Sequence, residues 1–285
     1  MSTPIGNLGD ITLRALDVLR ACDLIAAEDT RVTRKLLAHF DIHTPLTAYH
    51  AHSSENRADA LLAQLRAGRW IALVSDAGTP GISDPGADLA AAAAAEGFRV
   101  EPVPGPSALL AALVASGLPT ARFVFEGFLP RTRGDRWERL RRLVREPRTV
   151  ILYEASNRLA DTLNDLAAEA GAERPVAVAR ELTKRFEEIR RGGLGEVAAH
   201  YQANPPRGEC VVVLAGAEGG MGEIDAAAAA ADPDTLLKDA LDRGLSPRDA
   251  AREVARTTGE SRRELYARVL RLAGDPHRGD PHRGE

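Results

Sequence analysis

The sequence predicts an α/β protein of two halves followed by a small helical appendage. Short apolar runs alternate with helical patterns, which argues for parallel or mixed sheets covered by helices. Aromatic residues make up only 4% of a chain that is 44% apolar, which suits an α/β or helical protein better than a β-sandwich. The alternation then stops at a Gly/Ala-rich stretch, EGGMGEIDAAAAAADP, which has the composition of a linker.

The strand-like runs are LIAAE (24–28), WIALV (70–74), FRVEPV (98–103), FVFEGF (123–128), TVILYE (149–154), PVAVAR (175–180) and CVVVLAG (210–216). Helical patterns cover residues 10–21, 57–67 and 157–170, and ALLAALVASG follows PVPGPS (102–107) as a closely packing helix. The segment LPTAR (118–122) has a proline and no periodicity, and it marks the expected boundary between an N-terminal α/β domain (1–119) and a second one (120–217). The linker spans 218–233 and the helical appendage 234–274, with helices expected over 234–244, 246–259 and 261–274. Ser246 with Asp249, and Ser261 with Glu264, have capping-box spacing, and Pro247 suits a first helical position. The polar tandem of DPHRG in residues 275–285 has no apolar residue to pack and is expected to be disordered.

At 285 residues with a net charge of −4, the chain carries no global signature of nucleic-acid binding, so such a role requires a local patch. Cys22 and Cys210 sit in apolar segments and read as buried free thiols of a reducing compartment. No apolar run approaches the roughly 18 residues that cross a bilayer, and no signal-peptide layout begins the chain. The expectation is a soluble, cytoplasmic protein with no membrane partner.

Residues 75–86, SDAGTPGISDPG, follow WIALV directly. Ligands of open α/β sheets bind beyond the carboxyl ends of the strands. Gly78, Gly81 and Gly86 permit close backbone approach, while Pro80 and Pro85 stiffen the loop. The loop lacks both phosphate-cradle patterns, and Asp76 and Asp84 repel anions. A carboxylate at a strand end suits a ribose diol, an amino group or a cation, all of which S-adenosylmethionine presents. The plainer alternative is a stiff turn in which Asp84 caps the helix starting near Pro85. STPIGNLGD (2–10), with Asp10 as an expected helix cap, and PVPGPS are loops of the same kind, and the three are expected to converge on one crevice.

TPIGNLGDIT (3–12), IAAEDTR (25–31), ALVSDAGTPGISDPG (72–86), VPGPSALLAAL (103–113), FEGFLP (125–130) and ARELTK (179–184) together resemble the ribosomal RNA small subunit methyltransferase I family, within the tetrapyrrole methylase superfamily. The resemblance runs in order from Thr3 to about Ala217, and the appendage resembles the family's helix-turn-helix-like C-terminal piece. It implies a tetrapyrrole-methylase-like two-domain fold, typically a homodimer. The implied activity moves a methyl group from S-adenosylmethionine to the ribose 2′-oxygen of a cytidine in the decoding region of 16S rRNA. Carried onto this chain, Pro4, Gly6 and Asn7, then Asp76, Ala77, Gly78, Thr79 and Pro80, then Ser107, Ala108 and Tyr153 are implied to line the cofactor site.

Two departures stand out. The family begins with a strand of type LYVV before its TPIGN, whereas only Met1 and Ser2 precede it here. The expectation is that the natural product starts upstream, and an endogenous N-terminus at Met1 or Ser2 by mass spectrometry would refute it. Where the family reads YESPHR this chain reads YEASNR, so Asn157 stands in place of a histidine.

Methyl transfer to a 2′-hydroxyl calls for a base or a cation that stabilises a developing alkoxide. Candidates are Glu28, Asp29, Glu154 and Glu181 as acceptors, with Arg31 and Lys184 as electrostatic partners. Each has an ordinary alternative: Asp29 as cap of a helix from Thr30, and Glu181 with Lys184 as an i, i+3 pair. His50 and His52 lack a third ligand at metal-binding spacing, so no metal is expected.

RTRGDRWERLRRLVREPR (131–148) has eight arginines against three acids, a net +5 that leaves −9 for the rest of a −4 chain. Such a contrast favours phosphate binding by this segment, the plainer alternative being a solvated arginine-rich helix; the resemblance implies 16S rRNA of the small ribosomal subunit as the partner. Arg131, Arg133, Arg136, Arg141 and Arg142 are its candidate contacts, with Trp137 stacking on a base or anchoring the helix. The appendage, nine basic residues against seven acidic, is a weaker second contact. Two other readings stay open: a methylase of corrin or sirohaem precursors, and a non-catalytic ribosome-binding module.

Overall fold

The computed structural model describes residues 1–50, 55–217, 233–258 and 260–272. It divides into two compact units, Met1–Ala215 and Gly216–Glu285.

The first unit holds two sheets. Strands β1 (Leu24–Ala27), β2 (Leu46–Ala48) and β3 (Ile71–Val74) form a parallel sheet in the order β2-β1-β3. Helices α1 (Leu13–Ala21) and α2 (Thr30–His39) cover one face, and α3 (Glu55–Arg66) and α4 (Ala87–Ala95) the other. The alternation of β1 decides this: Ile25 and Ala27 join Leu16, Leu19 and Leu37, while Ala26 joins Leu61, Leu62 and Leu89. Helix α1 is capped by the Thr12 hydroxyl, which accepts from Ala15 N at 3.1 Å, and not by Asp10. Asp10 instead ends a short 3-10 turn, Leu8–Asp10, that Asn7 caps.

The second sheet has the order β4-β5-β8-β6-β7, from β4 (Phe123–Phe128), β5 (Thr149–Ala155), β6 (Pro175–Arg180), β7 (Glu188–Gly193) and β8 (Glu209–Leu214). Strand β4 runs parallel to β5, and the remaining neighbours are antiparallel. Its central strands are apolar throughout because both faces are covered. Val150, Leu152, Val176, Val178, Val212 and Leu214 pack with α6 (Arg133–Leu143), α7 (Ser156–Ala170) and α8 (Leu194–Ala203). Ile151, Ala177, Ala179, Val211 and Val213 pack instead under α5 (Ala108–Ser116). Helix α5 precedes the expected boundary at 118–122, yet its buried face, Ala112 and Leu113, belongs to this second sheet.

FRVEPV is not a strand. Pro102 has no N–H for a ladder, Val100 is exposed, and Val103 O accepts from Ser2 N at 3.0 Å. Beside it the Met1 ammonium donates to Leu73 O at 3.0 Å, and Thr3 forms an antiparallel bridge with Gly78.

In the second unit, α9 (Pro233–Asp242), α10 (Pro247–Thr258) and α11 (Arg262–Leu272) enclose a core of Leu237, Ala240, Ala250, Ala251, Val254, Leu265 and Val269. Ser246 Oγ caps Asp249 N at 3.2 Å and bonds Asp249 Oδ2 at 2.6 Å. Among the described residues no such bond is seen between Ser261 and Glu264. Residues 218–232 of the expected linker and the expected tail at 275–285 lie outside the described residues. Cys22 and Cys210 are buried and free. Among the described residues no helix is long and apolar enough to cross a membrane.

Candidate active site

The carboxyl ends of β1 and β3 lie on the same edge of their sheet, as parallel strands require, and present Glu28 and the 75–86 loop. In the second sheet, β6 runs parallel to β5 through the antiparallel β8 between them. Tyr153, Arg180 and the start of β8 at Glu209 therefore share one edge. Between the two edges is a cavity of about 430 Å³, within the ~300–1,000 Å³ usual for small-molecule sites.

Of the residues the family resemblance points to, Asp76, Ala77, Gly78, Thr79, Ser107, Ala108 and Tyr153 line this cavity. Glu28, Glu181 and Lys184 line it as well. Pro4, Gly6, Asn7 and Pro80 are not part of the lining; from the first loop it is Ile5 that reaches the cavity. Gly6 acts from behind. A Cβ there would stand 2.8 Å from Lys184 Cγ and 2.9 Å from Leu182 O, so glycine lets the 181–184 loop lie against the first loop. That second loop is strained: Glu181 and Thr183 adopt φ of 50° and 65°. It is held by Lys184 N donating to Glu181 O at 3.0 Å and Thr183 N to Glu187 Oε2 at 2.7 Å.

Asp29 is outside the cavity and serves structure. Its carboxylate accepts from Arg31 N at 2.7 Å as the N-cap of α2 and pairs with the Arg31 guanidinium at 2.5 Å. Those Arg31 hydrogen bonds hold its pKa down at about 2. Glu154 is also structural, buried against Arg158 at 2.6 Å with the Thr162 hydroxyl donating at 2.7 Å. Asn157 is exposed at the start of α7. His50 is exposed, His52 lies outside the described residues, and among the described residues no cluster of ligand side chains is set to hold a metal.

The structure adds Ile82, Ser83, Asp84, Phe128, Arg180 and Glu209 to the site. Asp84 does not cap α4, whose N-cap is Gly86 with no side-chain bond. The loop's glycines signalled a ligand contact in the sequence, but the fate of Asp84 depended on where the helix began.

The cavity is electrostatically one-sided. Five carboxylates, Glu28, Asp76, Asp84, Glu181 and Glu209, face two cations, Arg180 and Lys184. Both cations are already paired, Arg180 with Glu188 at 2.6 Å and Lys184 with Glu181 at 2.9 Å. Burial raises the pKa of Glu28 and of Asp76, each partly relieved by a backbone N–H from the opposite strand end. Burial, reinforced by the Glu28 charge, lifts Asp84 to about 6. An uncompensated negative lining is suited to a cationic ligand, and apolar Ile5, Ala108, Leu182 and Val211 offer flat surface beside it. The cavity therefore fits a sulfonium and ammonium carrier with an aromatic base.

The arginine-rich segment becomes α6 and its flanks, and most of its charge is spent within the molecule. Arg136 is only partly exposed and pairs with Asp165 at 2.7 Å and Glu154 at 3.9 Å, so the charge expected to meet phosphate is engaged inside the protein. Arg139 pairs with Glu126, Arg141 with Glu169, Arg142 with Glu138, and Arg148 with Glu146. Arg141 and Arg142 nevertheless remain largely exposed. Arg131 and Arg133 are exposed at the start of α6 and form no ion pair among the described residues. Trp137 packs against the core and anchors the helix.

The Tetrapyrrole (Corrin/Porphyrin) Methylases profile matches residues 2–198, and that of the RsmI C-terminal HTH domain matches residues 227–273. A ribosomal RNA small subunit methyltransferase I of Synechocystis sp. is 49% identical over 275 residues, covering 96% of this chain and 98% of the relative. The protein of the same name from Pseudomonas aeruginosa is 46% identical and covers 96% of each chain. Among solved structures, the cobalamin biosynthetic enzyme cobalt precorrin-4 methyltransferase superposes with a TM-score of 0.57 at 20% identity, covering 74% of this chain and 90% of that one. Uroporphyrin-III C-methyl transferase from Thermus thermophilus, complexed with S-adenyl homocysteine, gives 0.51 at 22% identity over 74% and 93%. At such identities the structures speak for the fold.

Proposed function

The chain belongs to the ribosomal RNA small subunit methyltransferase I family, and from that premise we propose that it methylates the ribose 2′-oxygen of a cytidine in the decoding region of 16S rRNA. It is an S-adenosylmethionine-dependent methyltransferase. The ribose oxygen, the cytidine and the decoding region are the reading advanced here. The observation that carries it is a negative cavity bounded by β4, the strand that leads directly into the free arginines at the start of α6.

Bound in the cavity, S-adenosylmethionine supplies a methyl carbon on a sulfonium, a leaving group that needs no acid. The chain's own task is placement. Glu28 and Asp76 set a negative field at the carboxyl ends of β1 and β3, and Ser107 with Ala108 brings the amino end of α5 into the lining, next to Gly78. The strained 181–184 loop, seated on Gly6, closes the side. Holding the reacting atoms in near-attack geometry is worth several orders of magnitude in rate. Arg131 and Arg133, with the outer arginines of α6, meet the phosphates of the incoming strand. A macrocycle methylase would leave these arginines and the helical second unit without a task, and a non-catalytic module would leave the cavity without one. Action on ribosomal subunits places the protein in the cytoplasm, and the homodimer implied by the family is part of the same proposal.

Calorimetric titration of S-adenosylmethionine into the wild type and Asp76→Ala tests the cavity. Micromolar binding lost in the variant is expected, and a flat wild-type titration would overturn the reading. Tritium-methyl transfer to unmodified small subunits, followed by nucleoside digestion, tests the product; light scattering tests the dimer.

A further inference from the structure

Phe186 is 69% exposed, more than any other Phe, Tyr or Trp among the described residues. A single exposed apolar side chain is ordinary by itself, but the backbone, charge and position of this one are not. It lies in the connection between β6 and β7, which makes two consecutive turns. Lys184 N donates to Glu181 O at 3.0 Å and closes the first; Glu187 N donates to Lys184 O at 3.2 Å and closes the second. Thr183 stands at φ of 65°, rare for a β-branched residue, and its buried hydroxyl has no hydrogen-bond partner among the described residues. Leu182 is buried in the core with α5, and Thr183 N is tied to Glu187 Oε2 at 2.7 Å. The strained backbone is thus fixed from both sides. It presents Arg185 and Phe186 at the two central positions of the second turn, with little freedom left to lose on binding.

The charge around the ring is positive. The Arg185 guanidinium carbon lies 5.6 Å from the Phe186 centroid, and Arg185 is exposed and forms no ion pair among the described residues. Arg207, also exposed and without an ion pair among them, precedes Gly208, where a Cβ would stand 2.9 Å from Glu181 Oε1 at the base of the same connection. Open aromatic surface bordered by free guanidiniums matches a nucleobase and its phosphates. A second copy of the chain meeting this face turn on turn would set Arg185 against Arg185.

The position completes the case. The ends of β4 and β6 lie on the edge of the second sheet that faces the cavity, three strand spacings or about 14 Å apart. Strand β4 leads to the free Arg131 and Arg133, and β6 leads to Arg185 and Phe186. A strand held at the start of α6 that crosses the cavity mouth therefore arrives at this turn. Lys184 lines the cavity and Phe186 does not, so the ring meets a base beside the nucleotide that enters and not that nucleotide itself.

We propose that Phe186, backed by Arg185, is a stacking platform for an unpaired base next to the methylated nucleotide. The inference rests on the ribosomal RNA reading above, though not on which atom of the nucleotide receives the methyl group. Stacking on the ring parts that base from its neighbour in the strand, and the neighbour is then free to turn into the cavity. Every base has a π-face, so the turn selects single-stranded RNA and not a particular sequence.

The test measures methyl transfer to unmodified small ribosomal subunits by the full-length wild type, Phe186→Ala, Phe186→Leu and Phe186→Trp. Cofactor affinity is measured on the same samples by calorimetry, folding by thermal melting and mass by light scattering. For Phe186→Ala, a rise of about tenfold in the KM for subunits is expected, with cofactor affinity, melting temperature and mass unchanged. Phe186→Leu should resemble Phe186→Ala, because it keeps apolar bulk without a π-face, whereas Phe186→Trp should match the wild type or bind subunits more tightly. Arg185→Ala should lower the slope of log affinity for subunits against log salt by about 0.7, and an unchanged slope overturns the part given to Arg185. A folded Phe186→Ala with the wild-type KM overturns the platform, as does Phe186→Leu behaving like the wild type. A lower mass in Phe186→Ala gives the face to a second copy, and cofactor binding weakened in step with KM gives the turn to the cofactor site; either overturns the proposal. A wild type that transfers no methyl group to small subunits overturns the ribosomal RNA reading itself.

Discussion

Consecutive residues at the end of β5 face two different electrostatic environments. Glu154 points to the side of α6 and α7, where Arg136, Arg158 and Thr162 surround it and no part of it is exposed. Tyr153 points to the other side, where Asp84 and Glu209 raise its pKa on top of the effect of burial. Both regions gather acids out of water. The first has its cations built in, whereas in the second the two cations are already paired with Glu188 and Glu181, which leaves Glu28, Asp76 and Asp84 without one. A closed cluster of this kind fixes the position of helices, whereas an open one holds free energy that a cationic ligand can recover.

Glu154→Ala would break the closed cluster most severely, taking from the partly buried Arg158 its acceptor at 2.6 Å and from the Thr162 hydroxyl its partner. A loss of about 3–5 kcal/mol is expected in chemical denaturation. Gly6→Ala attacks the seam behind the open region. The new methyl meets Leu182 O at 2.9 Å, and overpacking against backbone costs about 1–3 kcal/mol, with weaker cofactor binding by calorimetry as a second readout. Asp76→Asn removes charge from the open region alone: cofactor affinity should fall about tenfold or more, equivalent to ~1.5–3 kcal/mol for a charged hydrogen bond, while the melting temperature holds. Arg131→Ala with Arg133→Ala should lower the slope of log affinity against log salt for RNA by about 1.5 without destabilising the fold; Arg136→Ala should do the reverse.

A last test sharpens the contrast through pH. Asp84 has a folded pKa of about 6 against an ordinary 3.8, so the native state keeps a proton that the unfolded chain has released between those values. Stability contributed by the neutral acid is present below about pH 4 and is lost as pH rises through 6. Asp84→Asn should therefore melt higher than the wild type above pH 6 and equally below pH 4. Asp29 behaves oppositely: its stabilisation, present above 3.8, is lost only as pH falls through about 2.

The apolar run PVAVAR became a strand with the limits read from the sequence, because a strand buried on both faces needs nothing but side-chain character to be visible; FVFEGF kept its limits too, as a half-buried edge strand. Strands β2 and β7 escaped notice. LTA is three residues long, and EIRRGG is a polar edge strand whose only partner is β6, so neither declares itself before pairing. FRVEPV erred the other way: apolar content suggested a strand where Pro102 prevents a ladder. The convergence of the three Gly/Pro loops on one crevice was legible because glycine and proline encode backbone demands locally.

The sequence by itself determined the α/β alternation, the helical appendage and the motifs that mark the family, since periodicity and loop chemistry act within a few residues. Only the tertiary structure decided which charges are free. Arg136 and Glu154 lie eighteen positions apart and neutralise each other inside the protein, while Asp84 meets Glu28 across the crevice with no cation between them. Net charge can be counted along a chain, but the energy of a charge depends on its partners and on its distance from water. Folding sets both.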